Sequence, residues 1–210
     1  MAAAEQAGER LARRHRPADA DPGRSVIEVG ERSHTEDWTL RSALVRFAQP
    51  EPVRAAAVLE LVRRCDGAVR PLVRGLDDTT VVADAALTPS ALDDDPGHGG
   101  RPAEPYPDLR IVDVARFVRS GLPAPEVVAG YSAVTPLGSA EIDLIPLLQA
   151  MLDLDDLGRE LAAWAEAGAG APPTADVDAT CATVAARLDA LGIGPERAPD
   201  SPPRRRPSSA

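Results

Sequence analysis

Two runs decide how this chain reads: Asp108-Leu-Arg-Ile-Val-Asp-Val-Ala-Arg-Phe117 and Ala129-Gly-Tyr-Ser-Ala-Val-Thr-Pro-Leu-Gly-Ser-Ala-Glu-Ile-Asp-Leu-Ile-Pro-Leu-Leu148. In the first, Ile111, Val114, Ala115 and Val118 recur at helical spacing, while Arg110, Asp113, Arg116 and Arg119 lie away from them. This predicts a helix over 109–119 that stops at Gly121. Ahead of the second, Pro125 opens a helix over 126–133 with Val127, Val128 and Tyr131 as its apolar set. Ser139 is then the expected N-cap of a long helix running to about Ala167, with Glu141 in its first turn complementing the helix dipole. Leu144, Leu147, Leu148, Met151, Leu154, Leu157, Leu161 and Trp164 keep a 3.6-residue period in it. Its first half is apolar nearly all round, the mark of a buried central helix. Asp153, Asp156 and Glu160 mark its exposed face, and Pro146 is expected to bend it.

Working outward, residues 2–16 are rich in Ala with Glu and Arg, which suits a short helix, but they offer few large side chains for docking it. Residues 1–37 are therefore expected to be a loosely structured leader, with one short strand at Ser25-Val-Ile-Glu-Val-Gly30. A helix over 38–49 places Leu40, Leu44 and Phe47 near one face. Pro50 and Pro52 separate it from a second, 53–64, in which Val58, Leu61, Val62 and Cys65 face in, Glu60, Arg63 and Arg64 face out, and Gly67 stops the run. Thr79-Thr-Val-Val-Ala83 reads as a short strand, and 93–107, dense in Pro and Gly, as an irregular loop. After a linker at 168–173, a last helix carries the stripe Cys181, Val184, Leu188 and Leu191, opened by Asp176 or Asp178 and ended by Gly192. The Pro/Ser/Arg tail, 195–210, is expected to be disordered. The chain thus reads as mainly α with one or two short strands: a leader, one domain at 38–194, and a tail.

Composition excludes several functions. The net charge of −10 opposes a nucleic-acid or membrane-surface role, because phosphate backbones and anionic headgroups call for a basic face. All 23 basic residues are Arg, as GC-rich bacterial codon usage favours. The absence of Lys rules out a Schiff-base lysine and a lysine on a nucleotide phosphate. Cys65 and Cys181 lack metal-ligand spacing and sit on apolar stripes, as buried free thiols would. The first ten residues lack a basic start followed by an apolar core, so no signal peptide is expected, and the location expected is cytoplasmic.

In their order along the chain, Asp113-Val-Ala-Arg116, Gly130-Tyr131, Pro136-Leu137, Glu141 and Pro146 resemble the C-terminal lobe of the aminoglycoside phosphotransferase and choline-kinase-like family, across roughly 38–191. The resemblance implies the helical C-lobe of a protein-kinase-like fold, here lacking the N-terminal β-lobe and its nucleotide Lys. It also implies where chemistry would sit. Active members carry His-Gly-Asp-Leu-His-Pro-x-Asn after a strand; the Asp accepts the proton of the attacking hydroxyl and the Asn binds Mg²⁺. The matching segment here is Asp84-Ala-Ala-Leu-Thr-Pro-Ser-Ala-Leu92. Leu87 and Pro89 fit, but Ala86 stands at the base and Ala91 at the Asn. The second metal-binding Asp of the family also has no counterpart in 99–107.

The site candidates are correspondingly few. Asp84 serves as base only if the loop shifts by two residues; otherwise it is a solvated loop-edge carboxylate. Asp93, Asp94 and Asp95 cluster where metal would sit, although three adjacent carboxylates in a Pro/Gly loop are ordinarily just solvated. Asp113 reads as structural, His98 as exposed and idle, and His15 and His34 fall in weakly structured regions; no pairing of Ser or Cys with His has local support, so no triad is suggested. The expectation is a non-catalytic, degenerate phosphotransferase-like domain acting as a binding or regulatory module for a protein partner or a small polar ligand, without cofactor. One alternative is a small-molecule phosphotransferase completed by a partner chain and using ATP and Mg²⁺. The other is an unrelated helical protein that docks a partner through the 181–191 stripe.

Overall fold

The computed structural model describes residues 3–15, 40–73, 76, 80–83, 106–168 and 170–195. Within them the chain is mostly helical: α1 (Ala3–Arg14), α2 (40–47), α3 (Pro52–Val73), β1 (Thr80–Ala83), β2 (Tyr106–Leu109), α4 (Arg110–Arg119), α5 (Ala124–Val134), α6 (Ser139–Ala167) and α7 (Thr174–Ala190). The strand expected at 25–30 lies outside the described residues. β1 and β2 pair antiparallel, Thr80 opposite Leu109 and Ala83 opposite Tyr106. The last residues of the expected loop 93–107 are therefore strand. Pro107 is tolerated there because both strands of a two-stranded ribbon are edges.

The apolar period of α6 translates directly into position. Leu144, Leu147, Leu154, Leu157 and Leu161 are buried, and α3, α4 and α7 pack around them. α2 lies along the C-terminal half of α6, where Gly158 makes room for it. A Cβ at Gly158 would stand 3.0 Å from that of Leu40. Arg46 donates to the Ala165 carbonyl at 2.6 Å, satisfying one of the last carbonyls of α6, and Phe47 meets Trp164 edge to face. The stripe of α7 turns inward: Val177, Val184 and Leu188 are buried against α3 and α6, while Leu191 is partly exposed.

Four local expectations are corrected. Gly67 does not stop α3, which continues to Val73 through Pro71. A glycine costs a helix only about 1 kcal/mol, and Ala68, Val69 and Val73 pack on the core beyond it. Arg64 does not face outward but is buried. It donates to the Ile193 carbonyl (Nε, 3.1 Å) and to Asp189 Oδ1 (2.5 Å), fastening the end of α7 to α3. The cap of α6 is Gly138 rather than Ser139, and Glu141 Oε2 accepts its N–H at 2.8 Å. The segment 3–15, expected to be loose, is docked on α5. Its small residues are the reason, because Ala4, Gly8 and Ala12 let two backbones approach where large side chains would hold them apart.

Candidate functional site

The polar residues of interest gather where α1, α4 and α5 meet. Asp113 was expected on the outer side of its helix; it is 1 % exposed. α4 packs against α1, α5 and α6, so more than one of its faces is buried, and Phe117, one turn on from Asp113, is buried as well. Tyr131, on α5, is fully buried. His15, expected in a weakly structured region, follows the last turn of α1 with its side chain 4 % exposed.

These three make one chain of hydrogen bonds. Asp113 Oδ2 lies 3.1 Å from His15 Nε2, and Tyr131 Oη lies 2.6 Å from Nδ1. A carboxylate only accepts, so Nε2 is the donor to Asp113, while Nδ1 shares its bond with the tyrosine hydroxyl, a group that can both donate and accept. Burial pushes the Tyr131 phenol above its ordinary pKa; Arg110 opposes this, and the carboxylates of Glu141 and Asp113 reinforce it. The phenol thus stays protonated. The other oxygen of Asp113 accepts from Arg116 at 2.7 Å. Beside this junction Arg110 grips Glu141 in a fork, with both bonds 2.7 Å long, and reaches the Pro136 carbonyl at 2.9 Å. The bond to Glu141 raises the Arg110 pKa against the opposing effect of burial.

Acid, imidazole and hydroxyl are connected here as in a nucleophilic triad, but the hydroxyl is sealed. A reacting carbonyl or phosphoryl group would need to lie about 3 Å from it, and packed protein occupies that space. The junction is suited to holding α1 in place, not to turnover. Pairwise separations of 98 and 116 residues made it invisible to local reading. The available signal was Asp113 one turn from Phe117, the one acidic residue in a helix whose other charges are Arg.

A second polar region is an open cleft of about 240 Å³ between α4, α6 and α7, lined by Arg119, Asp153, Asp156, Glu160, Thr180 and Thr183 among others. Asp153, expected exposed, is largely buried and accepts from Arg119 Nε at 2.7 Å. Its other oxygen faces Arg187 Nε at 3.4 Å, too poorly aligned for a hydrogen bond. Asp156 is shared by Arg119 and Arg159. Burial pushes its carboxyl up, but hydrogen bonds from Arg159 and Arg119 prevail and hold it below the usual range. The carboxylates of Asp153 and Asp156 thus serve mainly to join helices.

The sequence candidates Asp84, Asp93, Asp94 and Asp95, with Ala86, Ala91, His34 and His98, lie outside the described residues. Among the described residues, no group of three or more His, Cys, Asp or Glu side chains is placed to hold a metal ion, and no helix is long and apolar enough to cross a membrane. No family model, curated protein or solved structure matches the chain.

Proposed function

We propose that this chain is a non-catalytic, phosphotransferase-like helical domain that serves as a binding or regulatory module. The observation that carries the reading is how the motif residues are used. Asp113, Tyr131 and Glu141, which bear the resemblance, are buried and engaged by partners within the chain. Ala86 and Ala91 stand where base and metal ligand belong, and a methyl group can neither accept a proton nor bind Mg²⁺. The order of elements fits the same reading: β1 immediately precedes segment 84–92, and β2 leads directly into the helix that carries Asp113. What was kept is a set of helix-joining contacts. The alternative of a partner-docking stripe on α7 is less favoured, since Val184 and Leu188 of the stripe are in the core, Cys181 is half-buried and Leu191 alone is exposed.

The alternative of a phosphotransferase completed by a partner chain is separated by restoring the motif. In the double variant Ala86→Asp, Ala91→Asn, the proposal expects at most weak metal-dependent nucleotide binding that the parent lacks. Loss in the variant of a phosphoryl-transfer activity present in the parent would overturn the proposal.

A further inference from the structure

The two sides of α5 lie in different surroundings. Pro125, Glu126, Ala129, Ala133 and Val134 are exposed, while Val127, Gly130 and Tyr131 are buried. A residue of α1 meets each of the buried three. Gly8 lies against the backbone of Val127 and Tyr131; a Cβ there would stand 2.2 Å from the Val127 carbonyl oxygen and 2.8 Å from the Tyr131 nitrogen. Gly130 lies against Glu5, whose carbonyl oxygen would be 1.9 Å from an added Cβ. His15 shares a hydrogen bond with the Tyr131 hydroxyl and meets its ring edge-on, with centroids 5.5 Å apart. Among the described residues no other two helices pack so extensively, and α5 touches α4 far less.

This contact bears on whether α5 can be a helix at all. At 11 residues it is shorter than the roughly 12–15 that an isolated helix needs to be even marginal in water, so its stability comes from the face it buries. That face is the one α1 covers. The rest of the fold is held differently: α3, α4 and α7 pack on α6, whose Leu144, Leu147, Leu157 and Leu161 are buried. α1 and α5 between them bury three large side chains, Leu11, Val127 and Tyr131, and otherwise Ala and Gly.

We infer that α1 and α5 are one cooperative unit, in which α5 keeps its helix only while α1 lies on it. The two order and melt together, through an opening distinct from that of the α3, α6 and α7 core. Residues 3–15 are thus the template that orders the Gly130-Tyr131 segment, and a domain begun at residue 38 would lack an ordered α5.

Native-state amide hydrogen exchange of the full chain at rising urea tests this. In the parent, the amides of α1 and α5 converge on one urea dependence, and those of α6 and α7 on another that opens less readily. Gly8→Leu, whose side chain has no space against the Val127 carbonyl, raises exchange in α1 and α5 alike, about tenfold or more, while α6 and α7 keep their protection. Ala129→Leu adds the same bulk on the exposed side of α5 and leaves both helices as in the parent. Protection kept in α5 while α1 exchanges, one opening shared by α1, α5, α6 and α7 in the parent, loss of protection throughout Gly8→Leu, or an equal rise in Ala129→Leu would each overturn the inference.

Discussion

Glu141 and Arg110 show how much rests on single side chains. The pair is largely buried, forks through two bonds and ties the start of α6 to that of α4. Glu141→Gln keeps the shape but leaves a mostly buried guanidinium without its counter-charge. The expected loss is about 3 kcal/mol, read as a lower urea midpoint at unchanged slope. Cys65 gives a second prediction at this scale. Burial, reinforced by Asp66 and opposed by Arg64, pushes its thiol up to about 12, so the folded protein should hold it unreactive toward alkylation near pH 8. Cys181 is only half-buried, with its pKa raised first by burial, and should be the thiol alkylated first. Burial of Cys65 was legible because it falls on a helical stripe. That of Arg64 and Asp113 was not, because period assigns a charged residue to the outside unless its distant partner is known.

At the scale of elements, apolar period located the described helices well and their ends less well. α4, α5, α6 and α7 fall where spacing puts them, and Leu40, Leu44 and Phe47 share the buried face of α2 as expected. Ends depend on what packs beyond them, which is why α3 runs past Gly67. The close of α7 was readable, since Gly192 takes φ +72° and its N–H bonds Asp189 while that of Ile193 bonds Leu188. Gly192→Ala forces a side chain into the left-handed region and should cost about 1 kcal/mol in denaturant unfolding. Docking of α1 was not readable, because a search for large apolar residues overlooks an interface made by their absence.

For the whole molecule, arginine fastens carboxylates across helices. Arg54 holds Asp178 with both oxygens engaged at 2.8 and 2.9 Å, and Arg119 joins α4 to Asp153 and Asp156 of α6. Asp178 is held below the usual carboxyl range by its bond to Arg54, and Asp156 by Arg159 and Arg119 against the effect of burial. Lowered folded-state values mean that this stabilisation is present above the ordinary carboxyl range and disappears as pH falls through the folded values. At the alkaline end Cys65 and Tyr131, both raised by burial, act in reverse: stability is lost as pH climbs from the ordinary thiol range toward about 12. Urea midpoints against pH should therefore show a neutral plateau, with an acid limb that flattens in Asp156→Asn. The pairings that cross between helices join residues 34 to 124 positions apart, so charge counting could not anticipate them.

The central claim, a phosphotransferase-like frame without phosphotransferase chemistry, is tested most directly by thermal-shift titration with Mg²⁺–ATP and Mg²⁺–GTP. Ligand at a hundred times its Kd would add about 2.7 kcal/mol of stability and raise Tm visibly. The account predicts no metal-dependent rise with either nucleotide; a rise that requires Mg²⁺ would contradict it.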